Sequence, residues 1–141
     1  MRFEELIVRD RILLHLGRFS HKRDEFVVPE DVTQTGIART VGKSRAHAAL
    51  MIKELRSMGL VMERMAHVKG GKSRRKAYFP TIRGEQQVKL LQDKLTEPVE
   101  WGMISTVIVA KDILTSRQRL EQVEEELRIL KRKIAILEAS S

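Results

Sequence analysis

Apolar residues recur along this chain with two different periods, and the changes of period divide it into elements. From Phe3 to Leu16 the spacing predicts a helix that buries Leu6, Ile7, Leu13, Leu14 and Leu16. Arg18 to Glu25 is polar and reads as a loop. Phe26-Val27-Val28 is a short extended piece, stopped by Pro29, which has no N–H to give to a ladder. Thr33 is placed to cap a short helix, Gln34 to Thr40, with Ile37, Ala38 and Val41 turned inward. Gly42 permits a tight turn, and Ser44 caps a second helix in which Ala48, Met51, Ile52 and Leu55 form one stripe. Gly59 supplies the left-handed residue that commonly ends a helix. Arg45, Ala46, His47, Ala49, Leu50 and Lys53 are then left facing outward.

The period shortens at Leu60. Leu60 to Val68 alternates as a strand, Lys69 to Lys76 makes a turn, and Ala77-Tyr78-Phe79 returns as a second strand. Two helices joined by a tight turn, the second offered outward, form a helix-turn-helix, here followed directly by a β-hairpin. A further helix runs from Arg83 to Leu95 on Val88, Leu91 and Leu95. Pro98 breaks any continuous helix after it.

Beyond Pro98 the pattern becomes heptadic. Ile113, Leu120, Leu127 and Ile134 fall at a, and Ser116, Val123, Leu130 and Leu137 at d. In a parallel pair each g residue meets the following e residue of the partner. The pairs Arg119–Glu124, Glu126–Lys131 and Lys133–Glu138 are all of opposite sign. The expectation is a parallel homodimer whose seam holds Ile113, Leu120, Val123, Leu127, Leu130, Ile134 and Leu137. The organisation expected is therefore a domain over residues 1–95, a linker over 96–102 and a helical coiled-coil region over 103–141. The fold class is mainly α with a small β-hairpin.

Charge sharpens this division. Residues 1–95 carry 20 Lys/Arg against 11 Asp/Glu, a net +9, whereas residues 96–141 carry 7 against 8, a net −1. The basic excess thus belongs to the domain with the hairpin and favours a polyanionic partner there. Five of the eight residues from Lys69 to Lys76 are basic and none is acidic. A capped helix feeding a cationic hairpin suits a duplex, the helix in a major groove and the hairpin along the backbone.

Other chemistries find little support. There is no cysteine, hence no disulfide, thiol nucleophile or thiolate metal site. His15, His21, His47 and His67 are scattered without metal-ligand spacing, so no metal and no cofactor are expected. Gly36 to Ser44 has one residue too many for a phosphate-binding loop, and Gly71-Lys72-Ser73 lies on a hairpin with Ala66 where the first glycine belongs. No nucleophile elbow occurs. An enzyme is not expected. Met1-Arg2-Phe3-Glu4-Glu5 is charged, and the apolar run Val107 to Ala110 is too short to span a bilayer, so a cytoplasmic protein with no membrane partner is expected.

Thr33 to Ala38, Val41-Gly42, Ser44-Arg45, Leu55, Gly59-Leu60-Val61 and Thr81-Ile82-Arg83-Gly84-Glu85 together resemble winged helix-turn-helix transcription regulators of the MarR/ArsR type. The layout is most similar to prokaryotic, often archaeal, members with a Lys-Gly-Gly-Lys wing, and it covers residues 3–95. The resemblance implies sequence-specific binding of double-stranded DNA by a homodimer. It places recognition on Ser44, Arg45, Ala46, His47, Ala49 and Leu50, and wing contacts on Lys69, Lys72, Arg74, Arg75 and Lys76. Thr33, Gln34, Lys43 and Lys53 complete the expected contact set. Leu50 stands where such helices commonly carry a basic or polar residue; it offers an apolar surface to a thymine methyl or to the wing. That residue also supports an alternative, a winged helix used as a protein-interaction module of a larger regulatory complex. Double-stranded RNA is a weaker partner, because the A-form major groove excludes a helix. The sequence specifies no small-molecule effector.

Overall fold

The structure, a computed structural model, describes residues 1–102 and 104–140, the side chains of 104–117 and 140 excepted. Two units result, Met1–Thr106 and Val107–Ser141. In the first, Ile12, Leu13 and Leu16 on α1 (Val8–Gly17) are fully buried, and the other elements pack around them. α2 (Gln34–Val41), α3 (Arg45–Ser57) and α4 (Ile82–Lys94) all touch α1. Ile37 and Val41 from α2, Ile52 and Leu55 from α3, and Leu91 from α4 complete the helical side of the core. The result is a winged helix, with the expected mixture of helices and a small sheet.

The sheet has three strands in the order β1 (Val27–Val28), β2 (Val61–Val68), β3 (Arg74–Pro80). β2 and β3 are antiparallel, with Met65 opposite Lys76 and His67 opposite Arg74. β1 lies parallel to β2, pairing Val27 with His67 and Val28 with Val68. The hairpin turn is shorter than expected. Arg74, Arg75 and Lys76 are strand residues, and only Lys69 to Ser73 turn, with Gly70 at φ 80°. The ladder wins because Ala77 and Phe79, fully buried, fix the register of the residues before them.

The first helix also differs. Phe3–Glu5 forms a 3-10 turn, Leu6 and Ile7 are extended, and α1 begins only at Val8. Ile7, expected in the core, is 54% exposed, because its extended backbone takes its side chain off the helical face that Ile12 and Leu16 share. Elsewhere the expected caps are in place. Ser44 Oγ accepts the His47 N–H at 3.1 Å, and Gly42 ends α2 at φ 67°. Trp101 packs edge-on against Phe3 at 5.3 Å, and the Arg18 guanidinium lies 4.3 Å over its ring. The linker is thereby fastened to the start of the chain and the end of α1.

α5 (Ile104–Ser140) is one continuous helix that makes up the second unit from Val107 on. Leu120, Val123, Leu127, Leu130, Ile134 and Leu137 are all exposed along it, while the side chains of Ile113 and Ser116 lie outside the described residues. Among the described residues no helix is long and apolar enough to cross a membrane.

His15 links α1 to the turn that precedes α2. It is fully buried, and its Nε2–H donates to the Asp31 carbonyl at 2.7 Å. Burial, reinforced by the Arg18 charge and opposed by the Asp31 contacts, pushes the imidazole down to about 4 from 6.5. The unfolded chain therefore binds a proton that the fold refuses, so stability should fall as pH drops from 6.5 toward 4. At about 1.4 kcal/mol per unit, the loss should reach roughly 3 kcal/mol. Urea unfolding at pH 7 and pH 4.5 measures it. His15→Gln, which keeps a donor for Asp31, should flatten the difference; an equal slope in the variant would move its origin to the carboxylates.

Candidate nucleic-acid interface

α3 separates its residues cleanly. Ala48, Ile52 and Leu55 are buried, Ala49 is half-buried, and Ser44, Arg45, Ala46, His47, Leu50 and Lys53 are exposed. The helix is steadied at its start from α2, where Gln34 Nε2 donates to the Arg45 carbonyl at 2.9 Å. Gln34 thus fixes the start of α3 from the preceding helix. Leu50, at 63% exposed, is the largest apolar side chain on this face and does not fold back onto the core. Lys43 is half-buried at the turn, its N–H bonded to the Ala38 carbonyl at 3.0 Å.

Thr33, expected among the contacts, is only 1% exposed. Its hydroxyl donates to the Glu30 carbonyl at 2.6 Å and accepts the Gly36 N–H at 3.4 Å. Both of its bonding capacities serve the cap of α2, and no face of it is left for a duplex.

The basic wing divides into two sides. Side chains alternate across a strand, so Arg74 and Lys76 share one face of β3 and Arg75 takes the other with Ala77 and Phe79. Arg75 reaches across to α2, its Nη2 donating to Thr35 Oγ1 at 3.1 Å. This bond between residues distant in sequence braces the wing against the helix-turn-helix. Thr35 escaped the reading of the sequence because neither its neighbours nor its spacing signals the pair. Lys76 lies 3.9 Å from Glu63, which also receives Arg56 at 3.4 Å and the Tyr78 hydroxyl at 3.0 Å. Burial and the Glu63 carboxylate together push the Tyr78 phenol up to about 12. Lys69, Lys72 and Arg74 are exposed and make no ion pair with a described residue.

The arrangement is one of presentation. An exposed helix face bearing Arg45, His47 and Lys53 stands beside a braced hairpin that is cationic apart from Glu63, whose carboxylate is held by Arg56, Lys76 and Tyr78. A cavity of about 440 Å³ between the ends of α1 and α4 and the linker holds Arg18, Gln92 and Glu97, without a nucleophile and base in contact. Among the described residues no group of three or more His, Asp or Glu could hold a metal ion.

The sequence matches no described protein family and no curated protein. Two solved structures are similar in shape. One is a point mutant of S. aureus MepR, 17% identical, covering 94% of this chain and 82% of its own, with a TM-score of 0.47. The other is a second MepR mutant from a multidrug-resistant S. aureus clinical isolate, 15% identical, covering 89% and 81%, with a TM-score of 0.48. Similarity at this level carries no information on what the chain binds.

Proposed function

We propose that this protein is a sequence-specific, double-stranded DNA-binding transcription regulator that acts as a homodimer. The observation that carries the reading is the exposed face of α3, with Arg45 at its start, set beside a wing that Arg75 ties to Thr35. α3 enters a major groove and the wing follows the adjacent backbone. Arg45 is placed to pair bidentately with guanine O6 and N7, a contact worth about 1–3 kcal/mol of discrimination. The heptads of α5 join two chains in parallel, so that two recognition helices meet successive major grooves about 34 Å apart. The operator is then an inverted repeat.

Arg45→Ala should relax preference at one base position of a selected site. Equal weakening across all sequences would make Arg45 a phosphate contact instead. The wing should behave otherwise. Neutralising Lys72 and Arg74 should weaken binding to every sequence and flatten the log K against log salt slope by roughly one unit per lost contact. An unchanged slope would remove these residues from the interface.

Leu50 supports a second reading, a winged helix that docks on another protein within a larger complex. Salt separates the two. A phosphate-bound surface loses affinity steeply with added salt, while an apolar protein interface responds weakly.

A further inference from the structure

Phe26 is the most exposed of the large apolar side chains in the first unit, at 74%. It is also among the better-held residues of its loop. Arg64 donates to the carbonyls of Arg23 at 2.6 Å, Lys22 at 3.4 Å and Glu25, fixing the segment that leads into it. The Phe26 carbonyl then accepts the His67 N–H at 3.3 Å, and its ring lies parallel to the His67 imidazole within 6°, centroids 6.1 Å apart. A mobile loop would not need three guanidinium bonds to hold an aromatic ring out in water.

The neighbours of this pair are fixed by the sheet register. Val27 and Arg74 flank His67 on either side, and Met65 and Lys76 are opposite each other one step along the same face. Val27 and Met65 are themselves exposed, so the face has an apolar, aromatic centre. Arg74 and Lys76 edge it along β3, and the Lys69 to Ser73 turn carries Lys69 and Lys72 at its end. The exposed Phe26 ring on a half-buried His67 and the cations beside it, Arg74, Lys69 and Lys72 unpaired among the described residues and Lys76 shared with Glu63, match the two chemistries of an unpaired nucleotide, a base with a π-face and a phosphate. They match a folded protein surface less well, which would have to supply both apolar cover and several carboxylates. They do not serve a paired duplex, whose bases are stacked on each other.

We infer that this outer face of the wing sheet, centred on Phe26 and His67, is a stacking platform for single-stranded nucleic acid. The inference rests on the nucleic-acid reading above and adds the Phe26 and His67 rings to wing cations that reading already uses. Arg75, on the opposite face of β3, belongs to the side that is tied to α2. The platform takes unpaired nucleotides that extend from, or open within, the duplex held by α3.

The test uses the full chain and fluorescence anisotropy with labelled oligothymidine of about 12 nucleotides, a length within the usual range for one small domain. The wild type should bind it, and Phe26→Ala should weaken that binding roughly tenfold or more, the loss expected for one stacked base. Phe26→Trp should retain it, and Arg45→Ala should leave it unchanged. Blunt duplex affinity should be the same in wild type and Phe26→Ala, with circular dichroism reporting an intact fold. Oligothymidine binding unaffected by Phe26→Ala, or absent while blunt duplex binds, would overturn the platform and leave the duplex reading standing. Loss of self-association in Phe26→Ala, with single strands bound as before, would identify a protein contact and also overturn it. Absence of both single-strand and duplex binding would remove both readings together.

Discussion

Replacing Leu127 by lysine should convert the proposed dimer to a monomer and lower affinity for the proposed inverted-repeat site on the order of a hundredfold or more. Leu127 occupies an a position of the heptad pattern and is 51% exposed, as are its neighbours Leu130 and Ile134 to a similar degree. Burying one leucine-sized side chain contributes about 1.5–3 kcal/mol, and two opposed lysines add a like-charge repulsion in its place. Half-sites read one at a time lose the effective concentration that a linked pair supplies, which accounts for the size of the fall. Analytical ultracentrifugation and binding to full and half operators measure the two effects separately. Gln118→Lys, on the outer face of the same helix, is the control and should change neither. A dimer that persists in Leu127→Lys would remove the heptads of α5 from the assembly.

The parts of the fold legible in the sequence were those governed by neighbours. Thr33, Ser44 and Gly42 mark helix ends through bonds that close within three or four residues, and their spacing alone located α2 and α3. The stripe of Ala48, Ile52 and Leu55 likewise needs only the period of a helix. Ile7 went astray because the apolar pattern continues smoothly across a break that backbone geometry, not side-chain character, introduces at Leu6. The turn is shorter than Lys69 to Lys76 for a related reason. Arg74 and Lys76 look like loop residues, yet the register set by Phe79 and Ala77 keeps them in the ladder.

The site was legible in outline and not in its bracing. An outward face on α3 follows from its stripe. That Thr33 is buried does not follow, since a cap residue is equally polar whether its helix end faces water or the preceding turn. Arg75–Thr35, Gln34–Arg45 and the Glu63 cluster join residues that only the folded chain brings together. Arg64 shows the same limit most clearly. By sequence it is one more cation of a basic domain, and in the structure its guanidinium is occupied with three loop carbonyls and lies 5.3 Å over the Phe79 ring.

Gly84→Ala should destabilise the first unit by about 2–4 kcal/mol, against the ordinary expectation for a glycine in a helix. In an open helix interior that change stabilises by about 1 kcal/mol. Gly84 is buried in the first turn of α4, which is seated on the Gly59-Leu60 turn after α3. The Leu60 carbonyl accepts the Thr81 N–H at 3.0 Å, Thr81 Oγ1 donates to the Gly59 carbonyl at 2.6 Å and accepts the Gly84 N–H at 3.1 Å. A β-carbon on Gly84 would overlap the Leu60 oxygen and stand 3.0 Å from its carbonyl carbon and 3.1 Å from Pro80 Cβ. Two of those obstacles are backbone, so relief requires α4 to lift from the turn and break the Thr81 bonds. Overpacking of this kind costs about 1–3 kcal/mol, and each lost bond adds about 1 kcal/mol, which outweighs the gain in helix propensity. Because β3 runs straight into Thr81, the lift should loosen the wing as well, and affinity for DNA should fall along with stability. Gln86→Ala, exposed two residues further along α4, should stay within about 0.5 kcal/mol of the wild type. Urea unfolding of the three proteins decides the matter: a Gly84→Ala midpoint at or above that of the wild type would show that the Leu60 turn yields without cost.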